Sequence, residues 1–525
     1  MSIQDRLSAV EKWHAPRFQP LLMGLLERRS PVYVVGGAVR DYLLGRDRYL
    51  TDLDLALAGP VLPLARELAD RCGWAFYPLD EERDVARLVR RLGNRENGTV
   101  LVCDMARIRG GSIQEDLRGR DFTVNALALV LERERPPELL DVCQGVADLE
   151  ARLLRRVTPR SLVEDPLRLV RAVRLKAQLG FQIEPETRFQ IRQLAATVTK
   201  ASPERVRDEL WKALAAPGPA DTLEELRHLV LLRTLLPELA ATVEVPQSRP
   251  HYLDVYRHTL RAVHFAEELR HWLRKPSART GEVLAPGLAE TLAPWRASLQ
   301  AHFNENMAGG RRRAFWLVWH ALFHDVGKAQ THTLQVREDG TVRHRFLGHD
   351  KRGAALTAQR LRALQFSRRE VLLGQTVVRH HMRPLLLHNR AHGEPLSRRS
   401  LFRFFRDTGG KLLGPLTGVD VLLLSLADFQ ATYPRLEESD WPEFLAHVGQ
   451  MLAFAFQEDG LQTVQTHPLV DGRTLMARLN LQEGPEVGKL LRKLLEAQAA
   501  QEIQTPEEAL ALAERWVREE EEAGD

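Results

Sequence analysis

Cysteine is scarce in this chain, and the marks of a secreted or membrane protein are missing with it. The three cysteines, Cys72, Cys103 and Cys143, stand far apart among 525 residues, too few and too scattered for a disulfide framework or a cysteine-rich zinc site. No apolar run approaches the ~20 residues that cross a bilayer, and the first residues lack a secretory signal pattern. We therefore expect a protein of the reducing cytoplasm with no membrane partner.

A strong excess of one charge is also missing. The chain has 74 Lys and Arg against 70 Asp and Glu, a formal net charge of +4, so the global balance is no nucleic-acid signature. Arginine is locally dense, however, and arginine binds phosphate through paired N–H donors. Arg311 to Arg313 are predicted to be a solvated helix face. The denser cluster consists of Arg152, Arg155, Arg156, Arg160, Arg168, Arg171 and Arg174.

The hydrophobic pattern predicts an α+β fold, with an α/β N-terminal part and helices after it. Apolar β-type runs occur at Val32–Val35 and at residues 53–58, 100–102 and 126–131, with helical patterns between them. From residue 150 onward the pattern is almost wholly helical, and residues 164–180 are predicted to form one helix. Residues 331–345 carry a hairpin-like turn or loop.

Two glycines and two acids mark the first candidate site. Gly36 and Gly37 end an apolar run, and Asp52 and Asp54 follow closely. Acids at i and i+2 on a strand point to the same face, where their oxygens suit Mg²⁺ held against a triphosphate. Glycines and a helix start admit phosphates close to the backbone. The pattern predicts attack of a hydroxyl on a nucleoside triphosphate.

A third acid is expected on a neighbouring strand. Asp104 ends the run LVCD and fits that role, since three carboxylates can serve two metal ions. The alternative, an ordinary acid at a strand end, stays open from the residues alone.

Four motifs in order resemble the bacterial tRNA nucleotidyltransferase and poly(A) polymerase family. They are residues 36–41 (GGAVRD), 52–54 (DLD), 115–127 (EDLRGRDFTVNAL) and 164–174 (EDPLRLVRAVR). Residues 467–473 (HPLVDGR) and 484–489 (GPEVGK) resemble that family's C-terminal region. The resemblance implies a nucleotidyltransferase head over 18–150, a helical neck over 151–235, a further domain over 236–440 and a helical tRNA-binding tail over 441–525.

The resemblance also implies residue roles. Asp52, Asp54 and Asp104 are expected to be catalytic, with Mg²⁺ on the first two. The other expected nucleotide-binding residues are Gly36, Gly37, Arg40, Arg120, Asp121, Asn125, Asp165, Arg168 and Arg171. Among these, Asp121 matches a ribose contact, and Asp165 with Arg168 matches the pair that recognises the base. One helical turn would place that pair on one face, and an intrahelical ion pair between them is a compatible alternative. Where the family usually has two arginines before the aspartate, this chain has Gly119 and Arg120.

One departure bears on the product. Residues 105–114 alone separate Asp104 from Glu115, where family members that add a whole CCA end usually carry a longer flexible loop. The short stretch resembles partial enzymes that add two cytidines from CTP to tRNA. A complete CCA-adding enzyme that also uses ATP, a poly(A) polymerase and an RNA-binding regulator with a silent head stay open, and no DNA partner is expected. Intact Asp52, Asp54 and Asp121 count against the silent head.

A second pattern combines histidine with aspartate. His258, the adjacent His324 and Asp325, and the distant Asp428 offer ligands for a divalent metal. This set resembles the helical HD phosphohydrolase superfamily, so the domain over 236–440 is expected to be an HD domain. That resemblance implies Mg²⁺, Mn²⁺, Ni²⁺ or Co²⁺ and hydrolysis of 2′,3′-cyclic or 2′-phosphates. His349, His380 and His381 are expected as possible ligands of a second ion.

Overall fold

The computed structural model describes residues 2–28, 30–46, 50–93, 98–274, 284–410, 412–457 and 467–522. The chain divides into two compact units. The first comprises residues 1–213 with 229–231, and the second comprises residues 214–228 with 232–525.

The first unit is built on a seven-stranded sheet of order β3-β4-β5-β2-β1-β6-β7, in which only the β2–β5 pair is parallel. Its strands are β1 Val32–Val35, β2 Asp52–Leu57, β3 Ala75–Asp80, β4 Val85–Leu92, β5 Thr99–Arg107, β6 Leu127–Glu132 and β7 Arg135–Asp141. The predicted runs correspond to β1, β2, β5 and β6. The sequence prediction missed β3, β4 and β7, because these strands contain several charged residues and prolines.

Helices lie against this sheet and continue beyond it. In the first unit they are α1 Ile3–Ser8, α2 Gln19–Leu26, α3 Gly37–Leu43, α4 Val61–Cys72, α5 Ile113–Arg118, α6 Gly145–Glu150, α7 Ser161–Glu164, α8 Leu167–Leu179, α9 Pro185–Leu194 and the start of α10 Pro203–Ala215. Strands β8 Leu153–Leu154 and β9 Gln182–Ile183 form a small parallel pair. The prediction of one helix over 164–180 is wrong, because Asp165 has extended backbone and separates α7 from α8.

The two faces of the sheet are covered differently. Helix α4 packs against β3, β4 and β5, and Arg66 from α4 lies over the ring of Phe76 on β3 at 4.5 Å from its centroid. On the other face, Ile113 and Leu117 of α5 pack with Val35 and Ala56. Helix α5 therefore shields that face at β1 and β2.

Among its described residues, the second unit is helical apart from one hairpin, β10 Thr333–Val336 with β11 Val342–Arg345, which confirms the predicted turn. Its helices are α11 Pro219–His228, α12 Leu232–Leu235, α13 Pro237–Ala240, α14 Val255–Arg274, α15 Leu288–Leu292, α16 Arg296–Phe303, α17 Trp316–Phe323, α18 Lys328–Thr331, α19 His349–Ala363, α20 Arg368–His380, α21 Arg383–Ala391, α22 Arg398–Thr408, α23 Thr417–Thr432, α24 Trp441–Phe456, α25 Gly472–Leu479, α26 Pro485–Ala499 and α27 Pro506–Glu522. Within the described ranges, none of these helices combines the length and apolarity of a membrane span.

Two arginines of the second unit contradict the sequence prediction of a solvated face. Arg311 and Arg313 are buried. Arg311 donates to Glu370 at 2.7 Å and Arg313 to Asp420 at 2.7 Å. The acceptors lie 59 and 107 residues further along the chain, so the local pattern carried no sign of these buried ion pairs.

Candidate active sites

The first candidate site begins with acids on neighbouring strands of the first unit. Asp52 and Asp54 project from the exposed side of β2, whose intervening Leu53 is buried. Asp54 stands directly opposite Asp104 in the parallel β2–β5 ladder, so their side chains share one face. Asp104 is held by Arg87 of β4, which donates from Nε and Nη2 to its two oxygens, each at 2.8 Å. The structure thus brings the three predicted acids together and adds an arginine that the sequence analysis missed.

The environment of Asp54 favours bound positive charge. Enclosure by the surrounding protein, followed by the negative charge of Asp104, raises the pKa of Asp54 to about 6, while Arg120 opposes the shift. Ionisation of a carboxyl group beside other carboxylates is unfavourable, because the negative charges repel one another. A cation bound between them stabilises the ionised form. The donor set of Asp52 and Asp54 therefore fits a hard divalent cation such as Mg²⁺.

Gly36 forms the floor of the site next to these acids. Its φ is +73°, and a Cβ there would lie 3.1 Å from Nη1 of Arg120 and 3.5 Å from Oδ2 of Asp54. Both the backbone conformation and the space thus require glycine. Helix α3 begins at Gly37 immediately after this turn.

A chain of hydrogen bonds connects the predicted nucleotide-binding residues. Arg40 donates to Oδ1 of Asn125 at 2.6 Å, and Asn125 donates to Oδ1 of Asp121 at 3.1 Å. Arg171 donates to Oδ2 of Asp121 at 3.1 Å and to Glu209 at 3.1 Å. Burial opposes ionisation of Asp121, but the charge of Arg171 and these hydrogen bonds hold its pKa below the ordinary value.

Glu209 of α10 is a member of this network that sequence reasoning missed. It is buried, and its second oxygen accepts from Arg174 at 2.6 Å. A buried acid that pairs two arginines of α8 fixes both side chains relative to Asp121. In the sequence, Glu209 stands out only as an acidic residue on the apolar face of the helical pattern that forms α10.

Asp165 and Arg168 do not form the intrahelical ion pair that the sequence left open as an alternative to base recognition. Asp165 precedes α8 and accepts from Arg205 at 2.8 Å. The Arg168 guanidinium donates to the carbonyl oxygens of Ser161 at 3.0 Å, Gly119 at 3.0 Å and Arg120 at 3.4 Å. Arg168 is thereby anchored to the segment that follows α5.

A cleft of about 240 Å³ lies among these groups. Its lining includes Arg109, Arg120, Asp121, Arg168 and Arg171. We call this cleft together with Asp52 and Asp54 the head site. Its cationic wall and neighbouring acids suit a triphosphate accompanied by a divalent cation.

The second candidate site lies inside the second unit. His258 on α14, His324 at the end of α17 and Asp428 on α23 converge: Nε2 of His258 lies 3.0 Å from Oδ1 of Asp428 and 3.2 Å from Nε2 of His324. Asp325 completes the group through Oδ2, 3.1 Å from Nε2 of His324. The four predicted ligands therefore meet.

Asp325 also faces a second group. Its Oδ1 lies 3.6 Å from Nε2 of His349 and 3.8 Å from Nε2 of His381. Asp325 with His349 and His381 can hold an ion, as can His258 with His324 and Asp325. His380 belongs to neither group found among the described residues. We call the two groups together the HD site.

The histidines are oriented for metal binding by backbone contacts. In each of three rings, Nδ1 lies close to a carbonyl oxygen three residues earlier: His324 with Ala321 at 2.7 Å, His349 with Phe346 at 2.8 Å and His381 with Val378 at 2.7 Å. With Nδ1 as the donor, the Nε2 lone pair is left toward the carboxylates. Burial opposes protonation of His324, yet Asp325 and Asp428 raise its pKa to about 10. The same negative charges would stabilise a divalent metal ion bound among these side chains.

A cavity of about 600 Å³ opens beside the HD site. Asp325, His349, His381 and Asp428 line its metal-facing wall. Cationic side chains line it as well, namely Arg249, Lys328, Arg343 and Arg345. The cavity is thus suited to an anionic ligand next to the candidate metal groups.

Three known family models match the chain. Residues 32–155 match the poly A polymerase head domain, residues 180–242 the probable RNA and SrmB-binding site of polymerase A, and residues 255–402 the HD domain.

Two relatives match over nearly their whole length. The A-adding tRNA nucleotidyltransferase of Deinococcus radiodurans is 34% identical over 492 residues, covering 93% of this chain and 95% of the relative. The CC-adding tRNA nucleotidyltransferase of Thermus thermophilus is 35% identical over 491 residues, covering 92% of this chain and 93% of the relative. The solved CCA-adding enzyme of Thermotoga maritima, complexed with tRNA, shares the fold at a TM-score of 0.54 and 19% identity, covering 98% of this chain and 99% of that one. The chain therefore belongs to the tRNA nucleotidyltransferase family and is an enzyme of that type.

Proposed function

We propose that the head site adds two cytidines from CTP to the 3′ end of a tRNA and then stops. The observation that carries the proposal is the short connection between β5 and α5, residues 108–112. Gly119 and Arg120, which follow α5, hold the Arg168 guanidinium through their carbonyl oxygens. A short connection restrains α5 and with it Arg168, so the base-recognising group keeps one arrangement and serves one base.

Cytosine fits this fixed arrangement better than adenine. Arg168 has five N–H donors, and three hydrogen bonds to carbonyl oxygens engage part of them. Cytosine offers an amino group to Asp165 and two neighbouring acceptors to the remaining arginine donors, whereas adenine offers one acceptor beside its amino group. An unmatched donor costs about 1–3 kcal/mol, which favours CTP over ATP by about 5- to 150-fold.

The chemistry follows from the positions of the side chains. The tRNA 3′-hydroxyl oxygen forms a bond to the α-phosphorus, the bond to pyrophosphate breaks, and the hydroxyl proton passes to a solvent water molecule. Asp52 and Asp54 would hold Mg²⁺, which supplies positive charge for the phosphates. Arg120, the turn at Gly36 and the start of α3 face the triphosphate, and Asp121 with Asn125 is placed for the ribose.

Addition of adenosine alone is the second candidate. The Deinococcus radiodurans relative is named an A-adding enzyme and is as similar to this chain as the CC-adding one. A complete CCA-adding enzyme comes next, then a poly(A) polymerase and a silent RNA-binding head.

Two tRNA substrates separate these functions. One lacks the whole CCA end and the other ends in CC, and each is incubated with CTP or with ATP. We expect two cytidines on the first and no addition to the second. Adenosine on the CC end alone would support the A-adding candidate, and a long A tail would support a poly(A) polymerase.

We propose further that the HD site hydrolyses a 2′,3′-cyclic or 2′-phosphate. The shared Asp325 carboxylate and the cationic cavity lining support this. With the cyclic phosphate, water would add to phosphorus and the bond to O3′ would break, which leaves a 2′-phosphate and the free 3′-hydroxyl that the head site extends. With a 2′-phosphate, the same site would release inorganic phosphate and a free 2′-hydroxyl. His324→Ala and Asp325→Ala should abolish hydrolysis with Mg²⁺, Mn²⁺, Ni²⁺ or Co²⁺ and leave cytidine addition intact. Wild-type protein inactive with all four ions would refute the hydrolase.

A further inference from the structure

One face of the first unit's sheet continues from the catalytic acids onto neighbouring strands, and no helix among the described residues covers it there. Directly paired residues across the strands are Asp54, Asp104, Arg87 and Tyr77, on β2, β5, β4 and β3 in that order. Because paired residues in a ladder share a face, these four side chains form one row. We call the part of this face on β3, on β4 and on residues 99–104 of β5 the lateral face.

The lateral face is exposed although it carries large apolar side chains. Tyr77 is 52% exposed and Val100 is 37% exposed. Between them, Val89 and Val102 are half-buried. On the opposite face of the same strands, Leu88 is completely buried. An aromatic and apolar surface that is left open beside an active site indicates a ligand.

Arg87 and Arg91 both carry positive charge on this face, and Arg87 is the one next to the acids. Nε and Nη2 of Arg87 donate hydrogen bonds to Asp104, and the Arg87 side chain is 43% exposed. The side-on contact fixes the guanidinium while leaving Nη1 without a partner among the described residues. A cation held in this way offers N–H donors to a phosphate at little cost in conformational freedom.

The position of the face identifies the ligand. The head-site cleft lies over Ala56 and Ala106, further along β2 and β5 than Asp54. Arg87 and Tyr77 lie in a different direction, across the strands from Asp54. Strands are spaced by about 4.8 Å, so Arg87 and Tyr77 stand roughly 10 and 14 Å from Asp54. The cleft suits the triphosphate. The RNA that carries the attacking hydroxyl can therefore lie on the lateral face.

We propose that the lateral face holds the 3′-terminal nucleotides of the RNA being extended, with Arg87 on a backbone phosphate and Tyr77 stacked on a base. This rests on the proposed nucleotide addition to an RNA end. Aromatic stacking on a base tolerates every base, and positive charge follows the backbone. The pair therefore positions the strand without selecting its sequence.

Substitution of Tyr77 tests the proposal. Tyr77→Ala should raise the KM for tRNA about 10-fold and leave the KM for CTP unchanged. Tyr77→Phe, which keeps the ring, should behave as wild type. Met23→Ala on α2, where Met23 is 50% exposed, is the matched control and should change neither constant. Unchanged tRNA binding in active Tyr77→Ala protein, or an equal rise in both KM values, would overturn the proposal.

A measurement on the wild-type chain gives an independent answer. An RNA minihelix with 4-thiouridine next to its 3′ end is bound and irradiated, and the attachment sites are mapped by mass spectrometry. Cross-links to β3, β4 or β5 are expected, and cross-links only elsewhere would overturn the proposal. A second copy of the chain on this face would appear as a dimer that Tyr77→Ala dissociates, which would also overturn it. Wild-type protein that adds no nucleotide would instead refute the proposed function.

Discussion

Arg171 donates from Nη1 to Oδ2 of Asp121 at 3.1 Å, which joins helix α8 to the segment that follows α5. Asp121 is buried, and its other oxygen accepts from Asn125. The ion pair therefore fixes the candidate ribose contact and one wall of the head-site cleft at once.

Replacing Arg171 should slow nucleotide addition and change its pH dependence. In Arg171→Leu, Asp121 loses a charged hydrogen bond, and we expect kcat/KM for CTP to fall about 10- to 100-fold. Arg171 holds the pKa of Asp121 down against burial, so its loss should raise that pKa. The acid limb of the kcat/KM profile should then move to higher pH. Arg28→Leu, which removes an exposed ion pair with Glu67, is the control, and parallel pH profiles would contradict the assignment.

Adjacent histidines should differ in metal binding. His381 faces Asp325 at 3.8 Å, whereas His380 belongs to neither candidate metal group. His381→Ala should therefore lose the second ion and His380→Ala should keep it, as measured by metal content after dialysis against Mn²⁺. Equal losses in the two variants would show that the grouping around Asp325 is wrong.

Gly327 should tolerate no side chain. A Cβ there would lie 2.1 Å from the carbonyl oxygen of His349 and 2.6 Å from the amide nitrogen of Gly353. Gly327→Ala must displace the start of α19, which should cost about 1–3 kcal/mol and weaken the ion bound through His349. Thermal unfolding and metal content measure the two effects. Gly488→Ala on α26, where a Cβ meets nothing within 4 Å, should not destabilise the chain.

The buried Arg313–Asp420 pair should make stability pH-dependent. Burial opposes ionisation of Asp420, but Arg313 and His302 hold its pKa well below the ordinary value. A depressed carboxyl pKa stabilises the fold above the unfolded value of about 3.9, and the gain is lost as the pH falls toward the folded value. Asp420→Asn should thus destabilise the chain by about 3 kcal/mol at pH 7, with the difference shrinking below about pH 4.

Tryptophan fluorescence during urea unfolding provides the measurement for this pair, because Trp316 and Trp319 are buried on α17. Glu438→Gln, in an exposed pair with Arg435, should have an effect below about 1 kcal/mol at any pH. A difference for Asp420→Asn that stays constant from pH 3 to 7 would contradict the pair's role.

Local patterns predicted the parts of the sites that are local in sequence. Asp52 and Asp54 follow from strand alternation, and His324 with Asp325 from their adjacency. Arg87 and Glu209 were missed because their partners come from other strands and helices. The helix expected through Asp165 failed for a reason visible in the sequence, since a residue before proline is disfavoured in a helix. His380 and His381 are rotated by about 100° from one another on a helix, and the sequence alone did not show which one faces inward.

The central claim concerns the product of the head site, and one mixed reaction tests it most directly. A tRNA lacking its CCA end is incubated with CTP and ATP at equal concentrations, and the mass of the extended tRNA is measured. The anchored Arg168 predicts a tRNA heavier by two cytidines and no more. A product that carries CCA would contradict the restriction to cytidine, and an unextended tRNA that accepts adenosine only once CC is supplied would assign the chain to A addition.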